Sequence, residues 1–205
     1  MLKNVKADYP NLRWKPYVDA LSKRLSPAIF NIRVLSRCSG TQTVLNVYHS
    51  YFISHIRYGV IFWGGTKSHM NSMFGLQKEA IRVMSGAKWR QSCRPLFRKL
   101  SLLTMPAIYV YELALFYKRN EPLFEAGMVT HGYATRNRTK IPFPIHNLTL
   151  LEKGPYYSAI RVIDALPPSI KGLKEQQFKI ELRRKLTEEV PYTVSDCLVV
   201  LREAS

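Results

Sequence analysis

Apolar positions recur along most of this chain at three- and four-residue spacing, the period of an amphipathic helix, in blocks separated by glycine, proline and short polar runs. The first block opens at Lys15-Pro16, where proline suits a first helical turn, and continues through Tyr17, Leu21 and Leu25. Pro27 either kinks that helix or splits it; the piece from Ala28 to Arg37 keeps Ile29, Ile32 and Leu35 or Val34 inward. After the break at Cys38-Ser39-Gly40, Thr41 caps a helix to Tyr58, with Val44, Leu45, Tyr48, Phe52 and Ile56 on one face and Gly59 as its stop. The β-branched and aromatic run from Val60 to Trp63 predicts extended chain, broken again at Gly64-Gly65. Ser68 then caps a helix whose apolar set is Met70, Met73, Phe74, Ile81 and Met84, while Lys78 and Arg82 share another edge at i,i+4.

Farther along, residues 92–100 predict a short helix, and Thr104 caps a longer one to about Asn120. Gly127, Gly132, Pro142, Pro144 and Gly154 punctuate residues 121–155, which predicts an irregular, partly β-paired crossing. A helix follows from Tyr156 to Ala165, ended by Leu166-Pro167-Pro168, and another from Leu173 to Val190. Phe178, Leu182 and Leu186 form the stripe of that last helix, and the pairs Glu175 with Lys179 and Glu181 with Lys185 add about 0.2–0.5 kcal/mol each. The tail from Tyr192 to Leu201 either pairs as an edge strand or hangs free. The fold class is therefore mainly α. A polar lead-in (1–13) precedes a helical bundle (14–120), an irregular segment (121–155) and a C-terminal part with two further helices and a tail (156–205).

Charge changes this picture more than composition does. A hydrophobic fraction of 46% is ordinary for a globular protein. Thirty-one Lys and Arg against 14 Asp and Glu are not ordinary, and the formal net charge of +17 implies an anionic partner. The excess is uneven: residues 1–120 hold 19 basic and 4 acidic side chains, a net +15, whereas residues 121–205 hold 12 and 10, a net +2. A solubilising mantle would be spread along the chain, so the asymmetry points to nucleic acid or an acidic membrane surface facing the first part. The membrane reading is the weaker, because the apolar helix faces are accounted for by packing on one another. Three scattered cysteines, Cys38, Cys93 and Cys197, make neither a disulfide framework nor a zinc module. With no signal-peptide pattern and no apolar run near 20 residues, the expectation is an intracellular protein of nucleus or cytoplasm, not secreted. The sequons at Asn137 and Asn147 are then chance matches.

The residues His55-x-x-Tyr58-Gly59-x-x-x-Trp63-Gly64, followed by Leu76-Gln77-Lys78-x-Ala80-Ile81-Arg82, resemble the thumb and post-thumb region of reverse transcriptases from jockey-like and related non-LTR retrotransposons. Upstream, Leu12-x-Trp14-Lys15-Pro16 with Leu21 and Lys23 is similar to the approach to that thumb. Downstream, Pro95-Leu96-Phe97, Leu113-Ala114-Leu115-Phe116, Thr135-Arg136 and Leu166-Pro167-x-Ser169-Ile170-Lys171 keep the family's order, so the resemblance covers roughly residues 10–190. It implies a helical, thumb-like bundle that grips primer and template. It also implies that the divalent metals of the full polymerase belong to a palm that would lie before Met1, and that a palm-containing polymerase chain is a possible partner alongside RNA or DNA.

Catalytic residues are not expected here. Phosphoryl transfer by two metals needs paired carboxylates, and Asp8, Asp19, Asp164 and Asp196 stand apart, so no cofactor or metal is assigned to this chain. Gly64-Gly65-Thr66-Lys67 lacks the sequel of a phosphate-binding loop. What the sequence offers is electrostatic grip, through Lys23, Arg24, Arg33, Arg37, Lys78, Arg82, Lys88, Arg90, Arg94 and Arg98 on helix edges and a basic loop. Trp89, within that loop, most commonly would fold back onto the core; the other fate is stacking on a base or sugar. His55, at the end of its helix, is expected to pack beside Tyr58 and Trp63, with nucleic acid as the lesser alternative. Against this grip stand two rivals, a protein-docking module and an inert transposon remnant.

Overall fold

The computed structural model describes residues 14–125 and 154–203, and these form helices joined by short turns, with no strand among them. The chain divides into two compact units, Met1–Leu96 and Phe97–Ser205, a boundary inside the stretch 14–120 that periodicity joins into one bundle. The β-pairing expected within 121–155 falls largely outside the described residues; its first part, Glu121–Glu125, is a short helix.

In the first unit, α1 (Lys15–Cys38) runs unbroken through Pro27. The proline lies on the exposed side, away from the packed stripe. Val18, Leu21, Leu25, Ala28, Ile29 and Ile32 are buried, the i,i+3/i+4 stripe expected of a core-facing helix. That stripe packs chiefly against α5 (Lys67–Met84), which contributes Met70, Met73, Phe74, Ala80 and Ile81. Between them the chain forms α2 (Thr41–Val47), a π-helical segment (Tyr48–Ile53) and α3 (Ser54–Arg57). The wider π turn lets both Phe52 and Ile53 reach the core.

Val60–Trp63 corrects the expectation of extended chain: it is a helical turn, α4. Gly59 takes φ +68°, a left-handed conformation that glycine adopts without the Cβ penalty, and reverses the chain into that turn. Helical spacing puts Val60 and Trp63 on one side, both fully buried, so burial overrides β-propensity. The Trp63 indole N–H donates to the Tyr58 carbonyl at 3.4 Å, and the Tyr17 hydroxyl donates to the same oxygen at 3.2 Å. Trp14 stacks on the exposed Phe62 ring at 5.6 Å.

Within the core, Gln77 is buried and its side-chain N–H donates to the Tyr48 hydroxyl at 2.9 Å. Burial pushes the Tyr48 phenol far above its ordinary range, with the Gln77 bond opposing. In the unfolded chain a tyrosine ionises near ~10. The folded protein holds the proton more tightly, so stability is fully present below that value and is lost as pH rises through and above it, by up to about 1.4 kcal/mol per pH unit for each such group. Burial raises Tyr109 in the second unit too, opposed by Ser158 and Arg161. Urea midpoints measured from pH 8 to 11 should fall above about pH 10, and less steeply in Tyr48→Phe; a flat profile in the parent protein would refute this coupling.

The second unit is built around α7 (Met105–Arg119), which is apolar nearly all round. The unit boundary falls within α6 (Arg94–Lys99); α9 (Pro155–Ala165), α11 (Glu175–Glu189) and α12 (Val194–Arg202) pack on α7, with α8 (Glu121–Glu125) and α10 (Pro168–Lys171) as short connectors. Phe178, Leu182 and Leu186 of α11 are buried, as their spacing predicts. Glu175 pairs with Lys179, and Glu181 pairs with Arg184, with the Lys185 charge also favouring its ionised form. The tail is neither edge strand nor free: it forms α12, nucleated by a capping box in which Thr193 and Asp196 bond each other's backbone N–H. α11 ends at Val190, a buried valine at φ 50°, whose neighbouring carbonyls are held by Arg98 (Nε to Glu188 O, 3.1 Å) and Thr104 (Oγ1 to Pro191 O, 2.6 Å).

Candidate nucleic-acid interface

Packing sorts the basic side chains of the first unit onto separate faces. Arg33 and Arg37, one turn apart on α1, meet the exposed edge of α5, where Glu79, Arg82 and Val83 lie, and the turn at Gly86-Ala87. Together with Ser36, Met84 and Trp89 they line an open groove of about 690 Å³. Arg82 donates from Nε to the Gln91 carbonyl at 3.0 Å, which ties the 87–92 loop back to α5 and holds Trp89 at the groove. Trp89 is 76% exposed, which corrects the expectation that the indole folds back onto the core; Arg90 lies over its ring at 5.3 Å.

The groove is not uniformly basic. Glu79 stands in it and pairs with Arg33 at 3.7 Å, a long contact between two half-exposed groups that is worth little in water. Three guanidinium groups against one carboxylate leave a formal excess of two positive charges. In a concave surface such an excess concentrates anions. Sequence spacing alone missed Glu79, Ser36 and the supporting Gln91 carbonyl, because nothing local reveals which edge of α5 faces α1.

Other predicted residues go elsewhere. Lys78 lies on the flank of α5 with its ammonium over the Phe74 ring at 4.6 Å, outside the groove lining. Cys93 packs beneath it and donates to the Lys78 carbonyl at 3.6 Å; burial raises its thiol, offset by Arg82 and Lys78. Lys23, Lys88 and Arg94 are exposed, Lys23 on the outer face of α1. Arg98 is placed in the second unit, where it caps the end of α11.

Arg24 opens onto the opposite flank of α1. There a second groove, about 470 Å³, is lined by Tyr17, Ala20, Leu21, Arg24, Ser54, His55 and Tyr58. His55 does not pack on Trp63 as expected. Its ring tilts against Tyr51 at 4.6 Å, and Nδ1 meets the Tyr51 carbonyl at 2.7 Å. A carbonyl only accepts, so Nδ1 carries the proton. The residues Tyr58, Gly59, Trp63 and Gly64 thus make a structural turn, with the Tyr58 ring left outside it.

Among the described residues, no three His, Cys, Asp or Glu side chains gather in a way that could hold a metal, and no helix is long and apolar enough to cross a membrane. Comparison of the chain with protein-family models, with curated proteins and with solved structures gives no match, so the function of these grooves has to be read from their chemistry.

Proposed function

We propose that the chain is a non-catalytic nucleic-acid-binding protein that grips phosphates, as the thumb of the non-LTR reverse transcriptase it resembles would grip primer and template. The observation that carries this reading is the convergence of Arg33, Arg37 and Arg82 with an exposed Trp89 on one groove. Guanidinium groups neutralise phosphates and release counterions, which gives affinity with little sequence preference. The indole adds a flat apolar face for a base or sugar. The surrounding charge supports the same reading: residues 1–96 hold 15 basic and 3 acidic side chains, a net +12. Of the acids described there, Asp19 is held by Lys15 at 2.7 Å and Glu79 by Arg33.

The test is anisotropy with a labelled RNA–DNA hybrid, an RNA duplex and single strands, from about 50 to 300 mM salt. Engagement of about four to six phosphates gives a log–log slope near −4 to −5 on duplex. The pair Arg33→Gln and Arg37→Gln should make that slope shallower by about 2, and Glu79→Gln should tighten binding by removing the carboxylate from the groove. A flat salt response refutes the grip.

A second reading has one observation in its favour. Phe30 and Val34, one turn apart on the outer face of α1, are 61% and 48% exposed, as a helix docking on a protein such as a palm-containing polymerase would present them. Binding to such a partner would survive high salt. No binding to nucleic acid or protein, from a folded chain, would favour the inert remnant.

A further inference from the structure

We infer that the groove on the Arg24 flank of α1 is a second site, one that takes a single unpaired nucleotide, with its base on the Tyr58 ring and its phosphate on Arg24. The inference rests on the nucleic-acid reading above but concerns different residues. Tyr58 is 56% exposed although the backbone around it is fixed: its carbonyl accepts from both Trp63 and Tyr17, and Gly59 reverses the chain beside it. The ring is therefore an aromatic face on a rigid mount, which loses little freedom when a base stacks on it. Tyr17, whose ring centre lies 6.4 Å from that of Tyr58, extends the aromatic wall.

The polar groups suit an anion with a hydrogen-bonding edge. Arg24 offers a guanidinium at the groove, and none of the described lining residues is acidic, in contrast with the first groove and its Glu79. His55 has Nδ1 committed to the Tyr51 carbonyl, which leaves Nε2 as its polar edge. The Ser54 hydroxyl proton points back to the carbonyls of Ser50 and Tyr51, so its oxygen remains as an acceptor. A cation, an aromatic face, and one or two orienting polar atoms in a groove of about 470 Å³ match a site of nucleotide size. An acidic peptide would use Arg24 but would leave the aromatic wall without a role.

The experiment is titration of the full chain with fluorescent tetrauridylate and, separately, with a blunt RNA duplex, at about 50 mM salt. Tyr58→Ala removes the ring and keeps the backbone carbonyl, and is expected to weaken tetrauridylate binding about tenfold with duplex affinity unchanged; Tyr58→Phe should retain the affinity. Arg24→Gln should weaken the oligonucleotide severalfold, and the duplex by clearly less. Far-UV circular dichroism and a urea curve establish that each variant is folded. Unchanged tetrauridylate affinity in both Tyr58→Ala and Arg24→Gln, with salt-dependent duplex binding intact, overturns this site alone. Failure of the parent protein to bind either nucleic acid overturns both readings, and displacement of tetrauridylate by a short polyglutamate at equal concentration overturns the nucleotide assignment.

Discussion

Replacing Trp63 by alanine is expected to lower the stability of the protein by about 3–5 kcal/mol, the range for truncating a fully buried large aromatic. Two effects add. The larger is the cavity, because Trp63 is fully buried against the reversed turn at Gly59. The smaller is the indole bond to the Tyr58 carbonyl. That oxygen keeps the Tyr17 hydroxyl, so removing the indole does not leave it bare. Trp63→Phe, which loses the bond and only part of the volume, should therefore cost clearly less. Trp14 is only partly buried and Trp89 is exposed, so Trp63 is the one fully buried indole. A urea curve followed by circular dichroism gives the stability change, and the emission of Trp63→Ala should shift to the red. A loss under about 1 kcal/mol would mean that the turn collapses freely around the missing ring.

Thr104→Val is the second large effect. Valine matches the shape of threonine, so there is no cavity, and the change isolates the hydroxyl. That hydroxyl is fully buried, donates to the Pro191 carbonyl at 2.6 Å and caps α7 by accepting from the Ala107 N–H at 3.4 Å. Leaving a buried carbonyl unsatisfied costs about 1–3 kcal/mol, and losing a helix N-cap about 0.5–2 kcal/mol. The expected total is about 2–4 kcal/mol, seen as a lower urea midpoint with an unchanged slope. Thr104→Ser keeps both bonds and should lose no more than about 1 kcal/mol, the cost of a buried methyl. If serine and valine prove equally harmful, packing rather than hydrogen bonding holds this joint.

Long amphipathic stretches were legible because burial and period agree there: α1, α5, α7, α9 and α11 lie within a few residues of where spacing places them. The failures came where a nonlocal term decides. Val60–Trp63 has the composition of a strand, yet one helical turn buries Val60 and Trp63 together, and a short strand with no partner could not. The C-terminal tail is an exception, because it carries a local helix signal, threonine followed three residues later by aspartate, which forms the capping box of α12. For the basic side chains, spacing separates polar from apolar faces but does not set the rotation of α1 against α5. That rotation gathers Arg33, Arg37 and Arg82, sends Arg24 to the opposite flank, and leaves Lys78 on an aromatic ring. Trp89 went against the usual fate of indoles because Arg82 anchors its loop from below.

The end of α11 is a place where torsion and burial disagree. A left-handed backbone at a β-branched residue costs about 1–2 kcal/mol, whereas burying the valine side chain contributes about 1.5–3 kcal/mol. Burial therefore prevails, narrowly. The residue after it limits the helix but does not itself require this conformation. Pro191 cannot take a positive φ, and it disfavours the helical region for the residue before it. The helix therefore does not run on past Val190. One proline thereby works as a length gauge for α11, and it fixes which two carbonyls, those of Glu188 and Pro191, arrive opposite Arg98 and Thr104.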